Sequence, residues 1–128
     1  MYKTGAHTKY RLRYHLVWIP KYRKQLLTGR LAQRLKELLQ QCAEAHEWTI
    51  EEQNIQVDHI HVLIQLNPNV SISYAVHLLK GGTSRIIRQE FSAIKEQLWG
   101  ASFWADGYFV ETFGQCNEEV IKAYVRNQ

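Results

Sequence analysis

The sequence predicts an α+β domain of the split β-α-β, ferredoxin-like kind: an antiparallel sheet with two helices on one face, plus one extra C-terminal helix. Three observations predict it. Segments of strand and helix periodicity follow one another in the order β-α-β-β-α-β-α. The only two prolines, Pro20 and Pro68, each sit just after an apolar run, where a strand stops. The run His59–Leu66 has one wholly apolar face, Ile60, Val62, Ile64 and Leu66, and an opposite face carrying His59 and His61. Such a strand buries one side under helices and leaves the other side open.

The first strand is read over Arg11–Ile19, where Tyr14, Val17, Trp18 and Ile19 favour extended backbone. A basic loop, Pro20-Lys21-Tyr22-Arg23-Lys24, follows it. Residues 30–47 read as a helix, because Leu31, Leu35, Leu38, Leu39 and Cys42 make one apolar stripe. Trp48–Val57 is a polar strand and His59–Leu66 a stronger one. Ser71 is placed to cap a second long helix over 72–91. Gly81-Gly82 inside that helix costs about 1 kcal/mol per glycine against alanine, which points to close packing, close approach of a ligand, or a kink. Residues 92–102 read as a loop or frayed turn, and Phe103–Phe113 as the last strand, interrupted at Asp106-Gly107. Asn117 caps a final helix that starts with Glu118 and Glu119, well matched to the N-terminal dipole.

Composition bounds the function without naming it. The 128 residues fit one domain, and 45% hydrophobic with 22% charged residues is ordinary for a globular chain. A disordered, collagen-like or disulfide-rich secreted protein is excluded. No apolar run approaches the ~20 residues of a membrane span, and the start Met-Tyr-Lys-Thr-Gly lacks a signal-peptide pattern. With only Cys42 and Cys116, the expectation is a reducing, cytoplasmic setting. The net charge of +4 permits a polyanionic partner and does not require one.

The chemistry-bearing pattern is Asp58-His59-Ile60-His61. Two imidazoles two residues apart on one strand share a face and lie close enough for one metal ion, each as a neutral ligand near pH 7. Asp58 falls at the strand start, as a turn residue or as a partner supporting a ligand. On the last helix Tyr124 and Gln128 are four apart and project together. An amide oxygen suits a hard cation. Softness alone favours zinc, copper or nickel for two histidines, and His59, His61 and Cys116 form a rival zinc set.

His-apolar-His on a strand, followed by a helical Tyr-x-x-x-Gln, resembles the single-tyrosine HUH transposases, small enzymes of bacterial and archaeal insertion sequences that move as single-stranded DNA. The resemblance covers nearly the whole chain. It takes in Tyr14-His15-Leu16-Val17-Trp18, Lys21-Tyr22-Arg23, Asp58–Leu63, Leu79-Lys80-Gly81, Ser84-Arg85, Gly107–Val110 with Thr112 and Gly114, and Asn117–Val120 before Tyr124. It implies one domain over 1–128, with 115–128 as the tyrosine helix. Tyr124 is then the nucleophile, and one Mg²⁺ or Mn²⁺ is held by His59, His61 and Gln128. The implied partners are single-stranded DNA with hairpins and a second copy of the chain, the tyrosine helix acting in trans; a membrane is not among them.

Basic and aromatic residues interleave at 10–14 and in Lys21, Tyr22, Arg23 and Lys24, and Lys80 and Arg85 lie on the glycine-bearing helix. These are the candidate DNA contacts, since single strands bind cationic grooves with stacking surfaces. His15 shares a face with Val17 and fits a core role as well as a site role. Two other functions stay open: a domesticated relative acting on genomic repeats with the same chemistry, and a non-catalytic single-stranded nucleic-acid-binding module on the same fold.

Overall fold

The structure, a computed structural model, describes residues 12–113 and 118–128. It contains strands β1 (Leu12–Trp18), β2 (Thr49–Gln56), β3 (His59–Leu66) and β4 (Phe109–Phe113). The helices are α1 (Gly29–Ala45), α2 (Ile72–Glu90), the four-residue α3 (Ile94–Gln97) and α4 (Glu118–Arg126). The sheet order is β2-β3-β1-β4, antiparallel throughout. That is the predicted α+β architecture.

The apolar stripes assemble as their spacing requires. Leu31, Leu35, Leu38 and Leu39 of α1 and Ala75, Val76, Leu79 and Ile87 of α2 bury against Leu16, Trp18, Ile60, Val62, Ile64 and Leu66 of the sheet. Ser71 accepts a hydrogen bond from the Tyr74 amide, the predicted cap. The helix passes Gly81-Gly82 without a break. A Cβ on Gly82 would sit 3.9 Å from Cys42 Sγ, so this glycine marks the approach of α2 to α1 and no kink.

Two boundaries differ from expectation. The last strand pairs regularly over five residues only; before the interruption expected at Asp106-Gly107, Trp104 keeps a single bridge to Pro20 while the Phe103 and Trp104 side chains bury in the main core. Trp104 donates its indole N–H to Thr83 Oγ1 at 3.0 Å, and Gly107 at φ 85° makes the turn that separates this stretch from β4. The first helix ends at Ala45 where Glu47 takes φ 61° and the Trp48 amide returns to the Ala43 carbonyl at 2.8 Å.

The second sheet face does not stay open. Ile121 and Val125 of α4 bury against Leu63, with Phe113 beside them. The two N–H groups of Asn54 Nδ2 are shared among the backbone oxygens of Val125, Arg126 and Gln128, at 3.4, 3.1 and 3.0 Å, and tie the C-terminal end of α4 to β2. Arg126 adds a 3.0 Å ion pair with Glu52. The Asn117 cap, Gly114, Tyr10, Arg11 and Cys116 all lie outside the described residues.

Candidate active site

Strand register builds the site. His15 stands opposite Glu111 of β4 and opposite Leu63 of β3, so His61 is its diagonal neighbour on the same face. Alternation puts His59 next along that face. Tyr124 reaches it from α4. The result is a row of rings: Tyr124 to His15 at 5.9 Å between centroids, His15 to His61 at 5.0 Å, His61 to His59 at 5.0 Å.

A hydrogen-bond chain runs along this row. The Tyr124 hydroxyl donates to Glu111 Oε1 at 3.1 Å, and His15 Nδ1 meets the same oxygen at 2.9 Å. His15 Nε2 meets His61 Nδ1 at 2.7 Å, and His59 Nδ1 meets Asp58 Oδ1 at 2.7 Å. An ionised Glu111 only accepts, which assigns the proton of His15 to Nδ1 and leaves its Nε2 as acceptor. His61 must then carry its proton on Nδ1, and His59 likewise, toward Asp58. Both histidines keep the Nε2 lone pair outside the network, as metal-ligating histidines do when the other ring nitrogen is held.

Burial and hydrogen bonding set the charge states. His61 is pushed down to about 4, by desolvation first and then by the charges of His15 and His59, so it is neutral at pH 7. Tyr124 is raised above the ordinary phenol value because its hydroxyl bonds to Glu111. Asp58 is held below the usual carboxylate value, mainly by its bond to His59. Asp58 is therefore both the turn residue and the support of His59.

Two imidazole nitrogens fit part of a cation's shell. No group of three or more His, Cys, Asp or Glu side chains able to hold a metal occurs among the described residues. Gln128 donates its side-chain N–H to the Tyr124 carbonyl at 3.1 Å, which leaves its amide oxygen as the available atom.

The expected DNA contacts sort into two groups. Lys21, Tyr22 and Arg23 form a 3-10 turn beside the histidines, and Arg23 pairs with Asp58 at 3.0 Å. Lys24 lies over the Trp99 ring at 5.0 Å. On the other flank, Lys80 gives two of its three N–H groups to the carbonyls of Ala105 and Gly107, at 2.7 and 3.0 Å, and burial lowers its pKa. It thus holds the loop before β4, at the wall of a cavity of about 360 Å³. Arg85 is exposed, with Arg88 and Lys95 around the same shallow depression.

The family described as "Transposase IS200 like" matches residues 8–128. The chain belongs to that family. Among curated relatives, the ISDra2 transposase TnpA of Deinococcus radiodurans is 32% identical over 98% of this chain and 90% of its own length. The transposase for insertion sequence element IS200 of Salmonella typhimurium is 33% identical over 98% and 82%. A crystal structure of a transposase-like chain from Deinococcus radiodurans R1 superposes with TM-score 0.81 at 32% identity, covering 98% of this chain and 97% of that one. The fold is also shared, at TM-score 0.59 and 14% identity over 95% of this chain and 68% of the other, with a REP-associated tyrosine transposase bound to a REP hairpin. No helix among the described residues is long and apolar enough to cross a membrane.

In this transposase, sequence reasoning passed over Glu111 and Asn54. Glu111 carried a signal, as a lone carboxylate on a strand otherwise rich in aromatics and β-branched residues. Its meaning needed the pairing of β4 with β1.

Proposed function

We propose that this transposase cleaves and rejoins single-stranded DNA at hairpin-bearing element ends, with Tyr124 as nucleophile. The phenol oxygen attacks the scissile phosphorus, the bond from phosphorus to the 3′ oxygen breaks, and the products are a 5′-phosphotyrosine and a free 3′-OH. A 3′-OH attacking the phosphotyrosine in turn restores a phosphodiester and releases the tyrosine, with no need for ATP. The observation that carries the reading is the Tyr124 hydroxyl within 3.1 Å of Glu111, at the end of the row that leads to His61 and His59.

A phenol with an ordinary pKa near 10 is a poor nucleophile at pH 7. Glu111 offers the acceptor that takes its proton as the oxygen attacks. His15 holds Glu111 and His61 in place, and Asp58 holds His59. The two histidines, with the Gln128 amide oxygen as third protein ligand, suit one Mg²⁺ or Mn²⁺; when bound, such an ion neutralises phosphate charge and orients the leaving oxygen. In the proposal the working unit is a homodimer whose tyrosine helices act in trans, although α4 rests on its own sheet in the single chain.

Single-stranded hairpin DNA labelled at either end, incubated with the protein and Mg²⁺ or Mn²⁺, tests the reading on a denaturing gel. The 3′ label should travel with the protein and the 5′ label with a shorter free strand. A protein carrying the 5′ label, or no adduct on any hairpin DNA, would refute it. Mixing chains bearing Tyr124→Phe with chains bearing His61→Asn restores cleavage only if the tyrosine acts in trans.

A further inference from the structure

Beside the histidines the surface carries two exposed rings that the main core does not use. Tyr22 is 54% exposed and Trp99 75% exposed, the latter the highest among the large exposed hydrophobic side chains described. Trp18, Trp48 and Trp104, the other three tryptophans, are buried. One exposed ring is ordinary on a protein surface, but Tyr22 and Trp99 lie together, 5.5 Å between ring centres, and make a shared aromatic patch.

The backbone holds these rings in place. Tyr22, Arg23 and Trp99 take φ of 60°, 50° and 50°, the left-handed region that side chains other than glycine avoid. Such conformations persist when surrounding structure fixes them. Here the Lys21 amide bonds to the Phe103 carbonyl at 2.8 Å, the Ala105 amide to the Ile19 carbonyl at 2.9 Å, and Pro20 pairs with Trp104. Two loops distant in sequence are thereby laced together with their rings 5.5 Å apart. The rings are tilted by 55° and are not stacked on each other. A base lodged between two rings needs about 7 Å, twice the ~3.5 Å contact distance, so a base would stack on the exposed outer side of the pair and not between the rings.

Charge completes the surface. Lys24 lies 5.0 Å from the Trp99 ring centre and Lys21 5.9 Å from that of Tyr22. Arg23 bonds to Asp58, which bonds to His59, so the platform is two hydrogen bonds from the histidine pair. We propose that Tyr22 and Trp99, with Lys21 and Lys24, form a stacking platform for an unpaired nucleobase of single-stranded DNA flanking the scissile phosphate. Aromatic faces take the base and the ammonium groups take the adjoining phosphates. The proposal rests on the reading of the chain as a single-strand DNA enzyme and adds a binding role for Trp99, a residue outside the sequence-derived set.

Because Trp99 is the exposed tryptophan, intrinsic fluorescence reports on it. The test titrates Tyr124→Phe protein with a single-stranded oligonucleotide carrying the cleavage site, and with a copy made abasic next to that site. Binding of the intact strand should quench the exposed tryptophan and protect it from acrylamide. Trp99→Ala should weaken binding of the intact strand roughly 5- to 150-fold, the usual effect of losing one base stack, leave binding of the abasic strand within about 2-fold, and be rescued by Trp99→Phe. Equal losses on intact and abasic strands, or none on either, would overturn the platform. Quenching that follows protein concentration and ignores DNA would also overturn it, in favour of a contact with a second copy. If wild-type protein still forms its covalent adduct in those cases, only the platform falls; if it forms none and binds no DNA, the functional reading falls with it.

Discussion

His15 offers the sharpest internal test, because a packing residue and a site residue would respond differently to one substitution. It is 2% exposed, with one ring nitrogen on Glu111 and the other on His61. His15→Phe keeps a ring of similar shape and removes both nitrogens. Glu111 is 36% exposed at its side chain, so water can replace the lost donor there. The His61 Nδ1–H has no such access, and leaving it unpaired costs about 1–3 kcal/mol. For a chain of 128 residues that lowers the melting temperature by about 4 °C for each kcal/mol. Packing alone could do the same. The distinguishing effect is on His61, whose tautomer is no longer fixed. Loss of such support typically costs 10- to 100-fold in metal affinity or activity. The assay pairs Mn²⁺ titration with ¹⁵N spectra of the His61 ring. His15→Gln, which returns an acceptor near the Nε2 position, should recover part of the loss. A His15→Phe protein that melts earlier yet keeps Mn²⁺ affinity and cleavage within about 2-fold would refute the positioning role.

Three further outcomes follow from the same geometry. Glu111→Gln removes the charge that accepts the Tyr124 proton; the Tyr124 pKa should fall toward 10 while cleavage drops about 10²- to 10⁴-fold, and faster cleavage would show that Glu111 restrains the tyrosine instead. Ile121→Ala removes about 2 kcal/mol or more from the small core under α4, so amides of α4 should exchange at least ~30-fold faster while those of β1 and β3 keep their protection; equal acceleration everywhere would contradict the separate docking of α4. Acid stability should carry the mark of His61. The unfolded chain takes up this proton near pH 6.5 and the folded chain only near pH 4, so stability falls as pH drops between those values and not above them. Urea midpoints measured across that window should slope less in His61→Asn, and equal slopes would remove His61 as the cause.

The parts of the fold that rest on periodicity were legible in the residues. His59–Leu66 forms β3 with the apolar face under the helices, and the α1 stripe buries as its spacing requires. Pairing was not legible. Nothing local to Glu111 says that it stands opposite His15, and nothing local to His15 says that His61 is its diagonal neighbour; both follow from sheet register over long separations. The strand read over Phe103–Phe113 is interrupted at Asp106-Gly107 as expected, but only one bridge, Trp104 to Pro20, survives before the break, while the Phe103 and Trp104 side chains bury in the main core. Trp99 escaped notice because its exposure comes from a left-handed turn that composition does not announce.

The central claim is that the Tyr124 oxygen forms the covalent link to DNA. The most direct measurement is digestion of the purified protein–DNA adduct with protease and nuclease, followed by mass spectrometry of the peptide retaining a nucleotide. The account predicts a phosphodiester to Tyr124, on a 5′ phosphate, absent from Tyr124→Phe protein. A link to any other residue, or an adduct that survives Tyr124→Phe, would contradict it.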